Sequence, residues 1–77
     1  MMETVNVSGT MYAARALGGV HAARDGVTLC GAVVEKQLPQ EGTALTMWAI
    51  VHTFSGGCRA CGATLETDPR VAQYATR

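Results

Sequence analysis

The chain has 77 residues, enough for one domain and no more. Six Lys/Arg balance six Asp/Glu, so the formal net charge is zero, and the basic footprint that marks most nucleic-acid binders is missing. The longest apolar run, Met47 to Val51, is far too short to span a membrane.

In chain order, Met1 to Asn6 reads as a loose or edge segment. Thr10 to Leu17 is either a strand or a short helix, since Ala13, Ala14 and Ala16 favour helix. Gly18-Gly19 ends it. Val20 to Arg24 and Val27 to Cys30 then form a hairpin around Asp25-Gly26, because a type I′ turn needs positive φ at both central residues. With Asp25 and Gly26 as the loop, Arg24 faces Val27, Ala23 faces Thr28, Ala22 faces Leu29 and His21 faces Cys30. Opposed residues share a face, with Cβ atoms roughly 4.5–5.5 Å apart. Ala32 to Lys36 continues as a strand, and Gln37 to Gly42, with Pro39 inside it, reads as an exposed loop. Leu45 to Phe54 reads as a central strand. It places Leu45, Met47, Ala49 and Val51 on one face and Trp48, Ile50, His52 and Phe54 on the other, so both faces are largely apolar. Trp48 and Phe54 are expected in the core. Ala60 to Thr67 stays open between helix and strand. Asp68-Pro69 then starts a terminal helix as N-cap and first helical residue, with Val71 and Tyr74 three apart on one face.

His21, Cys30, Cys58 and Cys61 make up a complete ligand set for one zinc ion. The hairpin sets His21 opposite Cys30. The spacing of Cys58-Arg59-Ala60-Cys61 lets both thiolates reach one metal from a tight turn. Four protein ligands close the metal to substrate, which makes it a staple rather than a catalyst. Three cysteines are an odd number for a disulfide framework, and no secretory signal precedes them, so the expected setting is reducing and cytoplasmic. A thioredoxin-like motif would sit near a βαβ pattern, and none is present. The rival histidine, His52, lies on an apolar strand, where a lone histidine is more often a core or surface residue than a ligand, whereas the hairpin register favours His21. The fold class expected is α+β: one zinc-finger-like domain over residues 1–77, with a small zinc-stapled antiparallel sheet and a C-terminal helix.

The segment from His21 to Gly31, containing Thr28-Leu29-Cys30-Gly31, with Cys58 and Cys61 downstream, resembles small zinc-binding proteins of actinobacteria and their phages. The resemblance covers about a third of the chain. It implies zinc ligation by His21, Cys30, Cys58 and Cys61 and a phage-related setting, and little about activity. Those proteins continue with a helix-forming residue where this chain has Gly62.

Three functions follow for consideration. The favoured one is a protein-interaction module that binds another protein or itself. The alternative is a nucleic-acid-binding zinc-finger regulator, with Arg59, Arg70 and Arg77 gathered on one C-terminal surface. An enzyme is not expected: there is no Ser/His/Asp order or phosphate loop, and Glu66 and Asp68 read as a capping and surface pair. Dispersed arginines on a neutral chain offer few phosphate contacts, so binding to generic duplex DNA should be weak. In a fluorescence-anisotropy salt titration, submicromolar affinity at about 0.15 M salt with a steep log–log slope would reveal a concentrated basic face and favour the nucleic-acid reading.

Overall fold

The computed structural model describes residues 9–54 and 56–75. Four strands, β1 (Met11–Ala16), β2 (Gly19–Arg24), β3 (Val27–Thr28) and β4 (Lys36–Gly42), are followed by three helices, α1 (Ala44–Thr53), α2 (Arg59–Leu65) and α3 (Pro69–Ala75). The sheet is antiparallel with order β3-β2-β1-β4. The protein is therefore α+β, with a sheet and helices sharing one core.

The alanine-rich segment near the N-terminus is a strand. Its small side chains lie at the centre of the sheet, where Ala13, Ala14 and Ala16 are fully buried. Tertiary packing here overrides the helical preference of alanine. The Asp25-Gly26 turn forms as the sequence implies, with φ of 56° and 82°. Ala23 pairs with Thr28, Arg24 pairs with Val27, and the Leu29 N–H donates to the Ala22 carbonyl at 2.9 Å. The strand ends earlier than expected, however. After Thr28 the chain turns through Cys30 and Gly31 (φ 94°) instead of continuing the ladder.

From Ala32 to Lys36 only fragments of strand form, and the regular strand begins where a loop was expected. Val33 bridges Val27, and the Val34 N–H donates to the Gly26 carbonyl at 3.1 Å. The next N–H, that of Glu35, donates to the Arg15 carbonyl at 2.9 Å. Consecutive residues thus bond to the β3 side and to β1. Their Cα atoms are only about 3.8 Å apart, so the sheet must curl tightly to bring its two sides together. Gln37 to Gly42 belongs to β4, an edge strand. The pairing jumps from Tyr12–Glu41 to Ala14–Gln37, a bulge that takes up Leu38, Pro39 and Gln40. Proline is tolerated at such a position because no ladder N–H is required of it.

The largest correction concerns Leu45 to Phe54, which is helix α1 and not a strand. Its buried residues, Ala44, Met47 and Val51, fall at i, i+3 and i+7, the period of a helix. Leu45, Trp48 and Ile50 are half-buried beside them, while Phe54 is exposed. A run that is apolar on every side has no polar face to reveal its period. Residues 60–67, left open by the sequence, hold α2 through Leu65. Gly62 does not break it and is buried within it, beside the His52 ring. In α3 the Asp68 side chain accepts from the Arg70 N–H at 2.8 Å, as expected of an N-cap. Expectations for Met1 to Asn6 and for Arg77 lie outside the described residues.

The core joins both layers. Met11, Ala13 and Ala22 from the sheet pack with Ala44, Met47 and Val51 of α1, Leu65 of α2 and Val71 of α3. Two glycines test the packing beside it in opposite ways. A Cβ at Gly57 would run into the Val51 carbonyl, a backbone atom that cannot yield. At Gly62 it would lie 3.2 Å from Cε1 of His52, a side-chain atom that has only to shift by a few tenths of an ångström. Gly57→Ala should therefore destabilise by roughly 1–3 kcal/mol, as other overpacking changes do. Gly62→Ala should stay near neutral, because alanine gains about 0.8–1.0 kcal/mol over glycine inside a helix. Denaturant unfolding of both variants checks this, and equal losses would contradict the packing described.

Candidate metal centre

The centre forms on the outer edge of β2. Strand β3 covers only the Ala23–Arg24 end of that edge, and a glycine-rich segment before α2 covers the other end. The Val20 N–H donates to the Gly56 carbonyl at 3.3 Å, and the Cys58 N–H donates to the Val20 carbonyl at 2.9 Å. Val20 and Gly57 form a parallel bridge. Two glycines permit this close approach. A Cβ on Gly19 would strike the Gly56 carbonyl, and Gly56 itself has φ 84°. His21 lies next to the seam, and the chain after β3 brings Cys30 to the same place.

His21, Cys30, Cys58 and Cys61 converge, with one potential ligand atom from each lying within 4.8 Å of all the others. The His21 Nδ1 lies 3.4 Å from the Cys30 Sγ and 3.5 Å from the Cys61 Sγ. In a tetrahedral site with Zn–S of about 2.3 Å and Zn–N of about 2.0–2.1 Å, a nitrogen and a sulfur ligand stand roughly 3.5 Å apart. The spacing thus fits a metal between these atoms.

The imidazole is oriented for this task. Its Nε2 is 2.7 Å from the Ala16 carbonyl, which can only accept, so Nε2 carries the proton. Nδ1 then presents its lone pair to the three sulfurs, the arrangement found for metal-bound histidines whose other nitrogen donates to a carbonyl. His21 as a residue is 5% exposed.

The sulfurs are positioned by α2 and by the loop after β3. Cys58 is the N-cap of α2, and its Sγ accepts from the Cys61 N–H at 3.3 Å. Cys61 is fully buried. The Thr28 hydroxyl accepts from the Ala32 N–H at 2.9 Å, which leaves its own proton free for the Cys30 sulfur at 3.1 Å. The electrostatics are divided. Burial opposes ionisation of Cys30, but hydrogen bonds from Thr28, the Ala32 backbone and Cys58 outweigh it and bring the thiol down to about 6. Burial pushes the Cys61 thiol up to about 12, and the neighbouring sulfurs of Cys58 and Cys30 act in the same direction. One sulfur is prepared for negative charge while another resists it. A dication would remove that conflict, since metal coordination deprotonates thiols outright. The three cysteines form no disulfide.

His52 stands elsewhere. Its Nδ1 is 2.9 Å from the Trp48 carbonyl in its own helix, its ring packs on that of Trp48 with centroids 4.4 Å apart, and Nε2 lies 3.7 Å from Glu66. Glu66 also accepts from the Trp48 indole N–H at 3.0 Å, so this group ties α1 to the end of α2. Arg59 opens α2 and Arg70 lies in the first turn of α3. Both are exposed. Sequence reasoning missed two supporting groups. Thr28 stands two residues before Cys30, but their contact forms in the turn that follows β3, which had no signal of its own. The Ala16 carbonyl is a backbone atom and left no signal.

No protein-family model matches the chain, and neither the curated proteins nor the solved structures contain a match. The functional reading therefore stands on the geometry of the four side chains. His21→Ala should lower metal retention and melting temperature far more than His52→Ala. Metal content and thermal unfolding of the two variants check this, and the reverse order would reject His21 as a ligand.

Proposed function

We propose that His21, Cys30, Cys58 and Cys61 hold one zinc ion as a structural staple, and that the stapled domain serves as a protein-interaction module. The observation that carries the metal reading is the pinned imidazole, whose Nε2 is fixed on the Ala16 carbonyl while Nδ1 faces three thiols. Zinc is favoured over other ions by a set of three soft sulfurs and one imidazole, and four protein donors leave no open position for chemistry. Structural zinc contributes on the order of 10–16 kcal/mol at neutral pH. Domains of this size have only about 5–15 kcal/mol of net stability. Folding and metal loading would thus be one event.

Support for the interaction role comes from the curled side of the sheet. Leu17 and Val33 are 78% and 76% exposed, and Val27, which bridges Val33, is 47% exposed. The Glu35 carboxylate accepts from the Leu17 N–H at 2.9 Å, which holds the β1–β2 turn beside this segment. Apolar side chains exposed together are the kind of surface that a partner covers. A cytoplasmic setting, argued from the reduced cysteines, and a phage-related one, which rests on the resemblance alone, are part of the same proposal. The nucleic-acid alternative has exposed Arg59 and Arg70 in its favour and a neutral chain against it.

Protein purified without added metal is expected to contain one zinc per chain by elemental analysis. Clearly less than one after remetallation, with the fold intact, would refute the staple. A photo-crosslinking residue at position 33, introduced in the native host, is expected to give a discrete protein adduct. No adduct from position 33 or position 17 would reject this surface as the interaction site.

A further inference from the structure

The four side chains of the centre are unequally covered. His21 and Cys61 are buried, Cys58 is half-buried and Cys30 is exposed. The loop carrying Cys30 is closed by its own backbone. The Thr28 N–H donates to the Ala32 carbonyl at 2.9 Å, and the Gly31 N–H donates to the Thr28 carbonyl at 3.0 Å. Neither bond uses the sulfur. Cys61, in contrast, lies inside α2, and Cys58 is tied to β2 through its N–H. Cys30 is thus the corner that a water-borne reagent reaches first and the one that can move at least cost. The sulfurs lie within 4.8 Å of one another. A disulfide needs about 2.0 Å, so closure requires a shift of less than about 3 Å in a loop that follows a strand of two residues.

We infer that the centre is a peroxide-sensitive switch, in which oxidation joins Cys30 to Cys58 and discharges the metal. This inference rests on the staple reading. The Cys30 thiolate attacks one oxygen of hydrogen peroxide and the O–O bond breaks. Sulfur loses two electrons to the peroxide, giving a sulfenic acid and a hydroxide that takes a proton to become water. The Cys58 thiolate then attacks the Cys30 sulfur. The S–S bond forms as the S–O bond breaks, and the departing hydroxide takes a second proton. In sum, two thiolates, one peroxide and two protons give one disulfide and two waters. Two of the four ligands are then lost, and His21 with Cys61 is too few to retain the ion. Cys58 is the resolving sulfur because Cys61 is fully covered, its Sγ directed at His21 and the Ala22 carbonyl.

The linkage can be read directly. Trypsin cuts after Arg24, Lys36, Arg59 and Arg70, which places each cysteine on its own peptide. Full-length zinc-loaded protein treated with hydrogen peroxide should release its zinc to a chromophoric chelator. It should yield a covalent pair of peptides 25–36 and 37–59, and recover metal binding after reduction. A pair of peptides 37–59 and 60–70, stable overoxidation of Cys30 without a cross-link, or retention of zinc with intact thiols would each overturn the inference. Protein that stays metal-free after remetallation, with its fold intact, would defeat the staple reading alone, and peptide mapping of the reduced, metal-free chain after peroxide would still decide whether Cys30 pairs with Cys58.

Discussion

The hydrogen bond from His21 Nε2 to the Ala16 carbonyl is the constraint on which the centre depends. A free imidazole offers either nitrogen to a metal. Here one nitrogen is committed to the neighbouring strand, so the lone pair of the other has a single direction. That direction is meaningful only because β1 and β2 are paired, with Ala14 opposite His21 and Ala16 opposite Gly19. The sheet register thus orients the ring, and the ring brings together sulfurs from two separate parts of the chain. The coupling runs both ways. A metal holding Nδ1 would strengthen the Nε2 bond and, with it, the end of the first hairpin.

The second half of the centre arrives by a different route. Helix α1 ends at Thr53, and the chain returns to β2 through Gly56, whose φ of 84° favours glycine, and Gly57, which has no room for a side chain against the Val51 carbonyl. This close approach lets Cys58 bond to the edge of the sheet and begin α2 in the same residue. Helix α2 then places Cys61 one turn on and sends Leu65 into the core. The metal ligands and the hydrophobic core therefore share one short helix. An ion held by these side chains would thus be coupled to packing as well as to coordination.

The centre was more legible in the sequence than the architecture around it. The four side chains that converge are picked out by residue chemistry and spacing, and the Asp25-Gly26 turn carries its own register because few residues tolerate its backbone. Those signals are local. Helix α1 was misread because ten residues without a polar face fit a covered strand as well as a helix, and only packing against Met11 and Ala13 separates the two. Strand β4 was misread because Pro39 signals a break, while at a sheet edge its bulge removes the conflict. The early end of β3 had no local signal either. It follows from the segment at Gly56–Cys58 taking the rest of the β2 edge, an event about thirty residues downstream in sequence.

The tight curl of the sheet has a further consequence for behaviour in a crowded solution. An open four-stranded sheet exposes two rows of unpaired backbone groups, each a template on which another chain can add a strand. Here residues 33–35 already occupy part of one row through Val33 and Val34, and the segment at Gly56–Cys58 occupies part of what β3 leaves open. The remaining row belongs to β4, where the Pro39 bulge interrupts the ladder and Lys36 and Glu41 add exposed charge. Strand-by-strand aggregation is thereby discouraged at both ends of the sheet. A domain this small, with a core made largely of alanine and a few larger side chains, can open transiently without offering its neighbours a long edge to copy.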